Sequence, residues 1–280
     1  MTTAHARTTR VMWWFGAASV AISAGAAVQL LVGAARTEDF FAWTIAVPAS
    51  AGFIGLFYLA SVVMGVLALR QPWWAPARTA LVPVVLFVAL VLAVTLLHLS
   101  AFHLFAGGPL ARSAAWVWLA VYIVTPLGYV FAFRWQDRAP GGDPPRREPL
   151  PPGTRVTLAA ATGLLGVLGV ALLVAPRPIA ALWPWALTAL TGRMAGATLL
   201  GVGLLAFSVV RVDDRPTGRI AATGLGVAGG TAALVPLVYG RGAVDWTGPS
   251  VWLYTVVAVV LLVAALAVVL PGDRVREGGG

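Results

Sequence analysis

The 280 residues are 60% hydrophobic and 10% charged, with a mean hydropathy of +0.89, whereas a water-soluble domain spends roughly a quarter of its residues on charge. The formal charge of +9 comes from arginines scattered between apolar runs, with no stripe or patch, so nucleic acid is not an expected partner. The absence of cysteine excludes disulfides, thiolate metal sites, iron–sulfur clusters and cysteine nucleophiles, and the absence of lysine excludes a phosphate loop of the GxxxxGKS type.

A hydrocarbon core about 30 Å thick is crossed by about 20 apolar residues in a helix. Runs of that length predict eight transmembrane helices, at 11–35, 48–69, 79–104, 113–134, 156–175, 193–210, 219–240 and 250–270. The first run follows a basic stretch and holds the small residues Ala24, Gly25 and Ala26, as a cleaved signal would. Its length, and a counterpart later in the chain, favour a retained span. Before the second and sixth spans, DFFAWTIAVP and ALWPWALTALTGR are too long for simple turns; they are expected to lie along the outer interface, as anchors or as caps over an external cavity.

Orientation follows from the arginines, because short cytoplasmic loops keep positive charge. With the N-terminus inside, fourteen fall in the cytoplasm, Arg274 and Arg276 of the tail included, and five outside: Arg36, Arg112, Arg177, Arg193 and Arg241. The twelve tryptophans gather near proposed helix ends, as an aromatic belt does. The expected location is a bacterial plasma membrane with both termini cytoplasmic.

Sliding the chain against itself by about 141 residues brings Leu30, Leu31 and Val32 onto Leu172, Leu173 and Val174, and Gly55 and Arg70 onto Gly196 and Arg211. Arg36 falls on Arg177, and a one-residue shift brings Trp43 onto Trp185. The fold class expected is all-α and polytopic, a parallel 4+4 repeat. Residues 1–135 form the first half, 136–154 a flexible cytoplasmic linker rich in Pro, Gly and charge, 155–271 the second half, and 272–280 a polar tail.

An ionisable group in hydrocarbon is costly, so each one near a span is a candidate. His98 and His103 lie in the third span; five residues at about 100° each set them about 140° apart on a helix, unsuited to one metal ion. Either ring also serves as an interfacial histidine bonded to a neighbouring helix. Gln29, Glu38, Asp39, Arg193, Arg241 and Asp245 are expected in the same outer layer, with Glu38 or Asp39 facing Arg193, or else as solvated loop charges. No metal or cofactor is expected. The triplet Gly224, Gly226 and Gly229 imitates a dinucleotide fingerprint but lies inside a span with no strand before it.

The segments FFAWTIAVP, LLHLSAFH, AAWVWLAVY and WPWALTALTGRMAGATLLGVGLLAF resemble a group of multi-pass bacterial membrane proteins that carries no assigned activity, and this implies topology alone. Each half also resembles small four-helix membrane proteins of the DoxX-like kind, in which an Arg and small residues open the second helix, as Arg193, Gly196 and Gly201 do here. The first half departs from that pattern, with Gly52 near the position corresponding to Arg193.

These features favour a non-enzymatic protein whose halves pack around an outward-facing cavity for a lipid or small lipophilic molecule. All acidic residues fall in loops, tails or the linker, which argues against ion-driven pumping. Two alternatives stay open. One is a membrane oxidoreductase or hydrolase using His98 or His103 with Glu38 or Asp39. The other is a structural or assembly subunit, either in a homo-oligomer or beside another membrane protein.

Overall fold

The computed structural model describes residues 5–270, so Arg274, Arg276 and the tail 272–280 lie outside the described residues. Eight long helices, each long and apolar enough to span a membrane, make the chain an all-α polytopic membrane protein. They are α1 (Arg10–Leu31), α3 (Pro48–Arg70), α4 (Trp74–Leu97), α5 (Pro109–Gln136), α6 (Pro152–Val174), α8 (Ala189–Val212), α9 (Arg215–Tyr239) and α10 (Pro249–Val269). Two short helices, α2 (Thr37–Phe40) and α7 (Pro176–Ala180), lie between them.

The boundaries differ from those expected because hydropathy marks where apolar residues begin, whereas caps add a polar turn. Proline opens α3, α5, α6 and α10, where its missing N–H costs nothing. At α8, Thr188 and Thr191 form a reciprocal cap, so Arg193 sits a turn inside that helix. Asp214 caps α9, accepting from Thr217 N at 3.2 Å. The third span starts earlier and stops sooner than expected: α4 ends at Leu97, and a 3₁₀ turn, Leu99–Ala101, follows. His98 and His103 therefore share no helix.

Helices α3, α8 and α9 are the most buried, α3 over 61% of its spanning window against 11% for α1. Helix α3 packs on α1 and α9, α4 on α8, α9 and α5, α6 on α8, and α10 on α9 and α6. Between hydrocarbon-clad helices, association rests on close packing rather than on water expulsion. Glycine sets the closest approaches. A Cβ on Gly196 would stand 2.7 Å from Gly169 O, and one on Gly229 would stand 2.7 Å from Ala258 O and 2.8 Å from Leu262 N. Helices α6 and α8, and likewise α9 and α10, are thus in backbone contact. Helix α4 has no glycine and α5 turns Trp118, Tyr122 and Tyr129 inward, so α5 packs more loosely against α1 and α4, whereas α1 and α3 stay close.

One face of the bundle gathers the N-terminal segment, the α3–α4 and α8–α9 connections and residues 137–151. Gln136, 2% exposed, ties α5 to this segment: its Nε2 donates to Arg7 O and its Oε1 accepts from Thr9 N, both at 2.8 Å. Asp214 Oδ1 accepts from Arg147 N at 2.8 Å and from Glu148 N at 3.0 Å, and Asp213, in the left-handed region at φ 47°, pairs with Arg155 at 3.3 Å.

The glycine contacts carry a stability prediction. Gly229→Ala forces α10 away from α9, because backbone atoms on the facing helix cannot rotate aside; a loss of about 1–3 kcal/mol is expected. Gly25→Ala adds a Cβ that meets nothing within 4 Å and serves as the control. Equal thermal midpoints for the two variants in detergent would disprove the close-approach account.

Candidate functional site

The loose packing of α5 against α1 and α4 leaves a cavity of about 410 Å³. That is within the range of about 300–1,000 Å³ typical of small-molecule sites. Helices α1 and α5 touch below it, where the Phe15 and Tyr129 rings lie 5.0 Å apart and Tyr129 OH donates to Ser19 Oγ at 3.1 Å. Above that contact they part. Exposed Ile22 and Gly25 on α1, and exposed Leu110 and Val117 on α5, form two lips of the cavity. Its inner wall is Tyr58 from α3, Phe87 and Val88 from α4, and Trp118 and Tyr122 from α5. The Tyr58 and Tyr122 hydroxyls hydrogen-bond each other. A space of about 40 Å³ adjoins it toward the arginine-rich face, sharing Ser19, Ser23, Ser61 and Tyr129 with it.

Phe41 and Ala42 close the cavity at the opposite face. This roof is held by aromatic packing, with Trp43 4.7 Å from Phe41 and 5.0 Å from Trp118. Buried Thr37 braces it by accepting from Ile45 N at 2.8 Å. His103 is its clamp: backbone N donates to Ala42 O at 2.9 Å, Nδ1 donates to Phe41 O at 3.0 Å, and Nε2 bonds the Thr44 hydroxyl at 3.1 Å. With both ring nitrogens engaged, His103 is a positioning residue. The roof leaves the gap between α1 and α5, on the outer side of the bundle, as the open side.

His98 points elsewhere. Its Nε2 lies 3.0 Å from Arg193 Nη1, while Arg193 Nε donates to Leu173 O at 2.9 Å. Guanidinium only donates, so Nε2 accepts and the ring proton resides on Nδ1. Burial, and then the Arg193 charge, hold the His98 pKa below its ordinary value. Arg193 thus joins α8 to the end of α6 and to the end of α4, and it meets neither Glu38 nor Asp39. Asp39 pairs instead with Arg36 at 2.8 Å, and Glu38 is exposed. Asp245 folds onto its own loop, accepting from Thr247 N at 2.9 Å, and Arg241 is exposed. Among the described residues no three of His, Cys, Asp and Glu are grouped to hold a metal ion.

Of the polar residues singled out from the sequence, only Gln29 lines the cavity; its Nε2 donates to Phe40 O at 3.4 Å. The tyrosines and serines of the wall are neutral, so the cost of burying charge, which singles out ionisable groups in an apolar run, does not mark them. Tyr58 and Tyr122, each in the middle of an apolar run, were the available signal, since a tyrosine hydroxyl in hydrocarbon calls for a partner.

The His98–Arg193 contact carries a pH prediction. The folded-state pKa of His98 lies below its unfolded value of about 6.5, so the contact contributes fully above pH 6.5 and is lost as pH falls through the lower folded value. Protonation would set a second cation beside Arg193. The thermal midpoint of the wild type is expected to fall more steeply than that of His98→Gln, which keeps an acceptor, between about pH 7 and about pH 5. Parallel curves would count against it.

Comparison with protein-family models, characterised proteins and solved structures found no match to this chain, so nothing ties it to the DoxX-like proteins or to any other named family. It is an integral membrane protein with eight helices long and apolar enough to span a bilayer.

Proposed function

We propose that this protein binds, or passively moves, a small lipophilic molecule that enters sideways from the bilayer between α1 and α5. One observation carries the reading. The cavity of about 410 Å³ is walled by apolar and aromatic side chains, roofed by Phe41 and Ala42, and bordered by exposed lips on two membrane helices. An aqueous substrate would need an opening through the roof, whereas a bilayer solute meets the gap directly. Acid–base catalysis gains little support, since His98 and His103 are bonded to Arg193, Thr44 and backbone carbonyl groups rather than to carboxylates.

The proposal extends to setting and architecture. The protein sits in a bacterial plasma membrane with its arginine-rich face and termini in the cytoplasm, so the roof is external. Its halves are a parallel repeat, one half opened for ligand and the other closed by glycine. The pairings support this: α1 with α3 answers α6 with α8, α4 with α5 answers α9 with α10, and α3 on α9 answers α8 on α4. Membrane lipid is the constant partner; a second copy or another membrane subunit remains compatible with the apolar outer surface.

Two measurements test these readings. Native mass spectrometry in mild detergent is expected to find one retained lipophile per wild-type chain, and none when Gly25→Phe and Ala114→Phe fill the gap from opposite lips. Undiminished retention in that variant would end the cavity proposal. Because the chain lacks cysteine, Arg138→Cys and Arg241→Cys each provide a single thiol for an impermeant maleimide. Only the second is expected to label in intact cells; labelling of the first alone would reverse the orientation.

A further inference from the structure

Many span hydroxyls in this protein bond back to the carbonyl four residues earlier, among them Ser19 to Phe15 O at 2.9 Å, Thr95 to Val91 O at 2.8 Å, Thr162 to Leu158 O at 2.9 Å, Thr198 to Met194 O at 2.9 Å and Thr231 to Val227 O at 2.7 Å. That local bond is how serine and threonine are accommodated in an apolar helix. Among the described residues, Ser23, Ser61 and Thr125 sit in the middle of their helices and make no such bond, and all three line the cavity. The Tyr58–Tyr122 pair adds another unused donor. Two hydroxyls carry two protons, one is spent between them, and neither oxygen has a further partner among the described residues.

These groups converge at one level. Tyr58 and Ser61 are three apart on α3, and Tyr122 and Thr125 are three apart on α5, so each pair shares a helix face. The tyrosine hydroxyls meet on the inner wall, which brings the two faces together. Ser23 follows Ser19, the residue bonded to Tyr129 one turn further along α5, and so completes the tier from α1. The lining carries no charged side chain. Arg193, of the opposite face, is occupied by Leu173 O and His98 Nε2.

We infer that the occupant is a neutral amphiphile whose headgroup carries hydroxyl, carbonyl or ester oxygens, seated head-inward on Tyr58, Tyr122, Ser61, Thr125 and Ser23 with its tail leaving between α1 and α5. This rests on the lateral cavity being the ligand site. Unpaired donors in a low-dielectric wall reward an oxygen acceptor, and the hydroxyls can return the bond to a headgroup O–H. An anionic carboxylate or phosphodiester would enter the cavity with no cation to meet it. A bare hydrocarbon would leave the unused donors unsatisfied.

The test titrates the full chain in mild detergent with three probes, monoolein, oleate at about pH 8 (ionised) and dioleoylphosphatidylglycerol, read by native mass spectrometry. Monoolein is expected to bind one per chain and at least about tenfold more tightly than either anion. Tyr58→Phe with Tyr122→Phe, which keeps the ring shapes, is expected to weaken monoolein about tenfold, the scale of one lost hydrogen bond. Ser61→Ala with Thr125→Val is a second route to the same loss should the tyrosine variant fail to fold. The Gly25→Phe, Ala114→Phe variant separates the two ideas. If it abolishes binding while the anions bind as well as monoolein, or while removing the hydroxyls changes nothing, the headgroup assignment is overturned and the cavity stands. If it leaves monoolein binding intact, the cavity reading itself has failed.

Discussion

How closely two membrane helices can approach is decided by the side chains between them, and α5 packs far less closely on its neighbours than α6 does on α8 or α9 on α10. Where glycine faces glycine or alanine, at Gly169 with Gly196 and at Gly229 with Ala258, backbones meet and no space is left. Where Phe87, Trp118, Tyr122 and Tyr129 turn inward, rings hold the helices apart, and rigid rings cannot fill an irregular gap completely. The cavity is a consequence of that contrast. Its walls come from bulky residues on α5 and the lack of glycine on α4, and its roof from Phe41 and Ala42.

A gap among helices would be of little use if it simply filled with water, and the roof bears on this point. Trp43, Phe41, Phe102 and Trp118 form one aromatic cluster over the cavity's end. His103 and Thr37 supply the hydrogen bonds that a non-helical segment needs when its backbone is buried. His98, five residues away, serves the other seam by joining α4 to α6 and α8 through Arg193. Two histidines that look alike in sequence thus do different work, because α4 ends between them and the following turn sends them in different directions.

The arginine-rich face is organised by acceptors rather than by ion pairs alone. Asp214 caps α9 and also receives two backbone N–H groups from residues 147 and 148, so one carboxylate secures a helix start and the segment crossing beneath it. A cap of this kind is worth about 0.5–2 kcal/mol. Gln136 plays the matching part for the N-terminal segment, offering both a donor and an acceptor where a charged side chain could offer only one sort.

Composition and hydropathy alone determined the class of protein, the eight spans and the uneven distribution of arginine, because each depends on sums over a segment rather than on which residue faces which. Boundaries slipped by a few residues wherever a cap such as Thr188 or Asp214, or a proline such as Pro109 or Pro152, extended a helix into polar sequence. The site was far less legible. These spans are apolar on nearly every side, so no periodic stripe separates a neighbour-facing side from a lipid-facing one. Nothing in the order of residues said that Tyr58 would meet Tyr122, or that Arg193 would choose His98 over Glu38 or Asp39. Those outcomes belong to the tertiary structure, since a hydroxyl or guanidinium in an apolar setting takes the partner that helix spacing brings within about 3 Å, and that spacing emerges only once all eight helices are packed.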